Sequence, residues 1–161
     1  MAGRIRIMTK EKWRGHLEDC FEKIRLIEKC QAETKENFTQ FCEFIAEPAF
    51  EALSESLKEY GIKGRIRKED LLTIRLDISF AKTRATQFSY EIHLPKNSIQ
   101  LKLKLRLLGR KDKKSPFREW REAFMPQVDP DRLLALTKEE LIVDIINHYR
   151  DFMIEILTSA E

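Results

Sequence analysis

The sequence predicts a two-layer α+β fold: a four-stranded antiparallel β-meander covered on one face by long N-terminal helices and a C-terminal helix. Apolar residues recur at helical spacing before Gly61 and after Thr137, and alternate with polar residues in between. Charge follows the same division. Residues 62–121 hold 17 Lys and Arg against 6 Asp and Glu, a net of +11, whereas the remaining residues hold 13 against 21, a net of −8. The expected sheet is therefore basic and the expected helices acidic.

The first helix rests on an alternating four-and-three spacing: Trp13, Leu17, Cys20, Ile24, Ile27, Gln31, Thr34, Phe38, Phe41 and Ile45. Phe21, Cys42 and Phe44 widen this stripe toward a core-facing side. The pattern predicts a helix from about Thr9 to Ala46, softened at Gln31 and Thr34. Pro48 breaks it, kinks it or begins a new helix in its first turn. Phe50, Leu53, Leu57 and Tyr60 continue helical spacing up to Gly61, a natural stop.

After Gly61 the period becomes 2. Four segments alternate: Ile62–Arg67, Leu72–Phe80, Gln87–Leu94 and Ile99–Leu107. Their connectors, Lys68–Leu71, Ala81–Thr86 and Pro95–Ser98, are short and polar or proline-containing, as hairpins require. Pro116 then opens an expected short helix carrying Phe117, Trp120 and Phe124, and Leu133–Leu136 an expected brief helical piece. Thr137 and Glu140 have capping-box spacing, and they precede the last helix with its Leu141, Ile145, Phe152 and Ile156 face. All of residues 1–161 read as one α+β domain: 9–60 helical, 62–108 sheet, 109–136 basic loop with short helical pieces, 137–159 the C-terminal helix.

With 42% apolar and 35% charged residues, a core is available and intrinsic disorder is excluded. No apolar run is long enough to span a bilayer, and residues 1–8 lack the pattern of a secretory signal, so no membrane partner is expected. The cysteines Cys20, Cys30 and Cys42 are odd in number and contain no CxxC pair, against both a disulfide framework and a zinc site. His16, four residues before Cys20, offers a base for a nucleophilic thiol. A buried structural Cys20 on the apolar stripe is the expectation instead. A reducing, cytoplasmic setting follows.

Pleat geometry places Lys63, Arg65, Arg67, Arg75, Lys102, Lys104 and Arg106 on the polar face of the sheet, against Asp77 and Glu91. Such a face attracts polyanions. Phe80, Phe88 and Tyr90 fall on the other side, so base stacking is not expected and contact with a phosphate backbone or an acidic protein surface is. Asp77 and Glu91 lie within one residue pair of facing each other, with His93 near Arg75, an arrangement suited to sharing a proton or a metal. Neutralisation by Arg75 and Lys102 favours plain ion pairs there. Glu140, Asp144 and His148 share one side of the last helix, and Asp144 with His148 has metal-ligand spacing, yet solvated residues are expected. The basic string Arg110–Lys114 before Ser115 and Pro116 has the form of a localisation or phosphorylation site, a form frequent in loops.

No phosphate-binding, dinucleotide, zinc-protease or serine-hydrolase motif occurs, and neither catalytic residue, metal nor cofactor is assigned. The expected function is that of a non-enzymatic binding module using the basic sheet face toward nucleic acid or acidic protein. A homodimer through the N-terminal helix is also expected, because the stripe exceeds what one sheet buries. The alternative is a ligand-binding or enzymatic cavity between sheet and helices, walled by Phe80, Phe88, Tyr90 and Leu103.

Overall fold

The computed structural model describes residues 10–80 and 86–159. Residues 1–9 with the expected helix start at Thr9, residues 81–85 of the expected Ala81–Thr86 connector, residues 160–161 and the side chains of Phe80 and Thr86 lie outside the described residues. Helix α1 (Lys10–Phe41) leads into a π-helical turn (Cys42–Ala46) and then α2 (Glu47–Lys58). Pro48 thus does not break the rod. It sits in the first turn of α2, where its missing N–H is harmless, and the Glu47 N–H donates to the Cys42 carbonyl across the widened turn. Gly61 ends the helical region with φ 71°, the left-handed geometry that glycine adopts without cost.

The sheet has five strands: β1 (Ile62–Asp70), β2 (Thr73–Phe80), β3 (Thr86–His93), β4 (Lys104–Gly109) and β5 (Arg118–Ala123). They pair antiparallel in chain order, β1-β2-β3-β4-β5. The α+β class and the antiparallel meander agree with the sequence; the strand count does not. The expected helix after Pro116 is instead β5, an edge strand pairing Leu107 with Trp120 and Arg106 with Arg121. Trp120 packs at 5.1 Å on Phe152, while the charged residues around it keep the edge soluble and hide its alternation. The expected strand Ile99–Leu107 pairs only from Lys104 onward, because β3 offers partners from Phe88 to His93. Leu101 and Leu103 are nevertheless buried.

A 3₁₀ turn (Pro130–Ala135) precedes α3 (Lys138–Thr158), whose start is the expected capping box: the Glu140 N–H donates to Thr137 Oγ1 at 3.1 Å, and the Thr137 N–H to Glu140 Oε1. The core lies between the helices and the apolar face of the sheet. Ile74, Leu76, Phe88, Tyr90 and Ile92 are buried from the sheet side, and Phe50, Leu141, Ile145 and Phe152 from the helices. Each such burial contributes about 1.5–3 kcal/mol. The rings interlock edge to face, Phe50 with Tyr90 at 6.3 Å and Phe88 with Phe152 at 5.6 Å. The layer in which a sheet–helix cavity was expected is thus occupied by side chains, Phe88, Tyr90 and Leu103 among them.

The rod formed by α1 and the π-helical turn divides in two. Residues 34–46 carry the buried Thr34, Phe38, Phe41, Cys42, Ile45 and Ala46, whereas residues 12–29 are exposed throughout. At 1.5 Å per residue the exposed part extends roughly 27 Å beyond the body. Trp13, Leu17, Phe21, Ile24 and Ile27 keep 44–50% of their surface in solvent. Cys20 is exposed with them, contrary to the expected burial, because nothing among the described residues covers that half of the stripe. Cys42 is the buried thiol, and desolvation pushes it up to about 12.

Candidate anion-binding face

Register sorts the polar residues into rows across the strands. One row runs Arg67, Arg75, Glu91, Arg106 and Arg121; the next runs Arg65, Asp77, Ser89, Leu108 and Glu119. Asp77 and Glu91 therefore do not face each other. Asp77 faces Ser89, Glu91 faces Arg75, and His93 faces Thr73 rather than Arg75. The Thr73 hydroxyl lies 3.0 Å from His93 Nδ1, so this imidazole is engaged away from both carboxylates.

Asp77 is the anchor of the face. It is 5% exposed, accepts from Ser89 Oγ at 2.6 Å, and pairs with Arg67 Nε at 3.0 Å and Arg75 Nε at 2.9 Å. Arg75 also reaches Glu69 at 3.0 Å. Arg106 lies between Glu119 at 3.0 Å and Glu91 at 3.7 Å. Arg121 pairs with Glu119 as well, and hydrogen bonds from Arg106 and Arg121 hold that carboxyl below its usual range. The expected reading of the acidic residues as ordinary ion pairs is what the geometry shows, although the partners are Arg67, Arg75 and Arg106 and not Lys102.

The seven expected contact residues thus fall into two groups. Arg67, Arg75 and Arg106 are tied to carboxylates. Lys63, Arg65, Lys102 and Lys104 are exposed and form no ion pair among the described residues. Lys63 and Arg65 stand on the edge strand β1, and Lys104 opens β4; Lys102 sits just before it in the unpaired segment. Arg121 joins the same face, a residue that the helical reading of its segment had removed from view. An open concavity of about 630 Å³ lies at this end, lined by Thr73, Glu91, His93, Lys104, Arg106 and Arg121 among others. Lys104, Arg106 and Arg121 share its lining with Glu69, Glu91 and Glu122, so its charge is mixed.

A second polar cluster lies on the helix side. The Tyr90 hydroxyl donates to Asp144 Oδ2 at 2.5 Å, His148 Nδ1 is 3.1 Å from the same oxygen, and His148 Nε2 is 2.6 Å from Glu122 Oε1. Asp144 and His148 are therefore not the solvated pair expected from sequence. Hydrogen bonding to Asp144 raises His148 to about 9, against the opposing effect of burial. Both imidazole nitrogens are engaged, and the chain Tyr90–Asp144–His148–Glu122 clamps α3 onto β3 and β5. Among the described residues no group of three or more His, Cys, Asp or Glu side chains is placed to hold a metal ion, and no helix is long and apolar enough to cross a membrane. No family model, curated protein or solved structure matches the chain.

Proposed function

We propose that this chain is a non-enzymatic binding module whose open sheet face takes an anionic partner, a nucleic-acid backbone or an acidic protein surface. The observation that carries this reading is that Lys63, Arg65, Lys102 and Lys104 remain exposed and without ion pairs on the face turned away from every helix. The rows from Arg67 to Arg121 and from Arg65 to Glu119 carry no Phe, Tyr or Trp, and the His93 imidazole beside them is engaged with Thr73, which favours charge contact over base stacking. The carboxylates beneath do not cancel the field, since they are already committed to Arg67, Arg75 and Arg106. We propose further that two copies pair through the uncovered N-terminal half of α1. A small ligand of mixed charge seated in the 630 Å³ concavity, whose lining sets Lys104, Arg106 and Arg121 beside Glu69, Glu91 and Glu122, is a second reading, its volume lying within the range of ligand pockets.

Binding of labelled duplex DNA, RNA, heparin and an acidic peptide at about 50 mM and 200 mM salt tests the proposal, because released counterions make backbone binding fall steeply with salt. Micromolar binding to DNA, RNA or heparin that weakens sharply with salt and is lost when Lys63, Arg65, Lys102 and Lys104 are replaced by Glu supports a phosphate partner. Binding confined to the peptide supports the acidic-protein reading. No binding at low salt overturns both.

A further inference from the structure

The exposed half of α1 carries information about how a second copy must lie, and this inference rests on the proposed pairing of two copies through α1. Trp13, Leu17, Cys20, Ile24, Ile27 and Gln31 continue with the same spacing as Thr34, Phe38, Phe41 and Ile45. One seam therefore runs the length of the helix, exposed before Cys30 and inside the body after Thr34. Gln31 marks the border, where its Nε2 donates to the Asn97 carbonyl at 3.2 Å in the turn before β4. A partner helix laid parallel on this seam meets the body beyond Gln31, because its own body and this one claim the same side. An antiparallel partner meets the body only with its N-terminal end.

We propose that two copies of this chain pair antiparallel over residues 13–31 of α1, with Trp13 of each copy entering the groove at the base of α1 in the other. The register follows from the stripe. Facing seam residues must alternate as in an antiparallel coiled coil, and one alignment uses every exposed member: Trp13 opposite Gln31, Leu17 opposite Ile27, and Cys20 opposite Ile24. Sliding one heptad further brings Trp13 onto Phe38, which is 1% exposed and already covered. Sliding one heptad back leaves Ile27 bare. The chosen register places the two-fold axis beside Glu22, with the two Phe21 rings, 50% exposed in the single chain, against one another. It sets Arg14 near Glu28 of the second copy twice over, and Lys23 near Lys23 of the second copy once.

The groove supplies an independent observation. It holds about 420 Å³ beside α1 and is lined by Cys30, Thr34, Asn37, Ile99, Leu101 and Leu134 among others. Ile99 and Leu134 are 51% and 41% exposed and, beside Glu33 and Asp131, form an apolar part of its mouth with no occupant among the described residues. Cys30, Thr34 and Asn37 lie on the flank of the seam toward which Trp13 of an antiparallel partner leans. A tryptophan is the largest apolar side chain and one that anchors interfaces by filling such pockets.

The test is the full chain, measured for mass by sedimentation and for geometry by spin-label distances. Labels are placed at Lys12 or at Glu22 in a background with Cys20 and Cys30 replaced by Ser, Cys42 being buried. A dimer is expected in which Glu22 labels, level with the two-fold axis but on the outer side of each helix, lie roughly 20 Å apart, about two helix widths, while Lys12 labels are separated by roughly 30 Å or more, the rise of twenty helical residues. Leu134→Glu, in the groove and outside the helix overlap, is expected to weaken the dimer at least tenfold, as is Trp13→Ala. A monomer at all concentrations overturns the pairing itself. A dimer with short distances at both positions leaves the pairing standing and overturns the antiparallel arrangement. Antiparallel distances with a dimer constant unchanged by Leu134→Glu overturn the seating of Trp13.

Discussion

Tyr90 and Asp144 are 54 positions apart, yet the phenol donates to the carboxylate at 2.5 Å and ties the centre of the sheet to α3. His148 leans on the same carboxylate and on Glu122, so one protonated imidazole joins α3 to the edge strand β5. Its elevation to about 9 fixes the sign of a pH effect. Below about pH 6.5, the usual value for histidine, folded and unfolded chains both hold the proton and the stabilisation is complete. Between 6.5 and 9 the unfolded chain loses the proton first, and stability falls as pH rises; above 9 the contribution is gone. The melting temperature of the native chain is expected to drop across that window, and that of His148→Asn to stay nearly level within it. A flat profile in the native chain shows the clamp to be neutral.

Gly109 closes β4 against the ring of Phe152. A Cβ at this position would overlap that ring, which is itself wedged between Phe88 and Trp120. Overpacking of this kind costs about 1–3 kcal/mol. Gly109→Ala is expected to lower the urea midpoint accordingly, and Phe152→Leu in the same chain to recover part of the loss. Additive losses in the double variant would show that the two sites do not touch.

How legible these features were depends on what each residue faces. The strands through Phe88–Leu94 alternate cleanly because one side meets the apolar core and the other carries polar side chains, Asp77, Ser89 and Glu91 among them buried in their own network of hydrogen bonds and ion pairs. β5 was hidden because it is an edge strand: in Arg118–Ala123 only Trp120 meets the core, and Phe117, Trp120 and Phe124 happen to fall at helical spacing. Cys20 was misplaced for the opposite reason, since an apolar stripe tells which side seeks a partner and not whether the same chain supplies it. The cations of the sheet face were readable from pleat alone; which of them are tied down was not, because Asp77 pairs across strands at a register that the unfixed turn lengths left open by one residue pair. Glu122 and His148 sit 26 positions apart, and no local spacing joins them.

Asp77 couples the stability of the face to its binding. Asp77→Asn removes the charge that holds Arg67 and Arg75 and keeps a side chain of the same shape. Truncating one partner of a well-buried ion pair costs about 3–5 kcal/mol; with Arg67 nearly half exposed, about 2 kcal/mol is expected here. The Arg67 guanidinium then becomes available to an anion, and Arg75 is left with Glu69 as its one remaining carboxylate partner among the described residues. The variant is expected to unfold at lower urea and yet to bind heparin more tightly, with a steeper dependence on salt than the native chain. Weaker binding by a folded Asp77→Asn chain would mean that the arginines act only when held in place.

The charges along α1 separate the two ways of pairing helices without any label. In the antiparallel arrangement Arg14 meets Glu28 of the second copy, and Lys23 meets its own equivalent. In a parallel one, Lys23 meets Glu28 and Arg14 has no carboxylate opposite. Lys23→Ala is a mild change, since both residues favour helix. It is expected to tighten an antiparallel dimer about twofold by removing a repulsion, and to loosen a parallel one by a similar factor, given about 0.2–0.5 kcal/mol for exposed helical charge pairs. Arg14→Glu is expected to weaken the dimer, and adding Glu28→Arg to restore it, because the swapped charges again face each other. Sedimentation of the four chains reads all of these signs. Tightening by Lys23→Ala together with rescue of Arg14→Glu by Glu28→Arg is the joint signature of the antiparallel seam. Loosening without rescue would place the two helices side by side in the same direction.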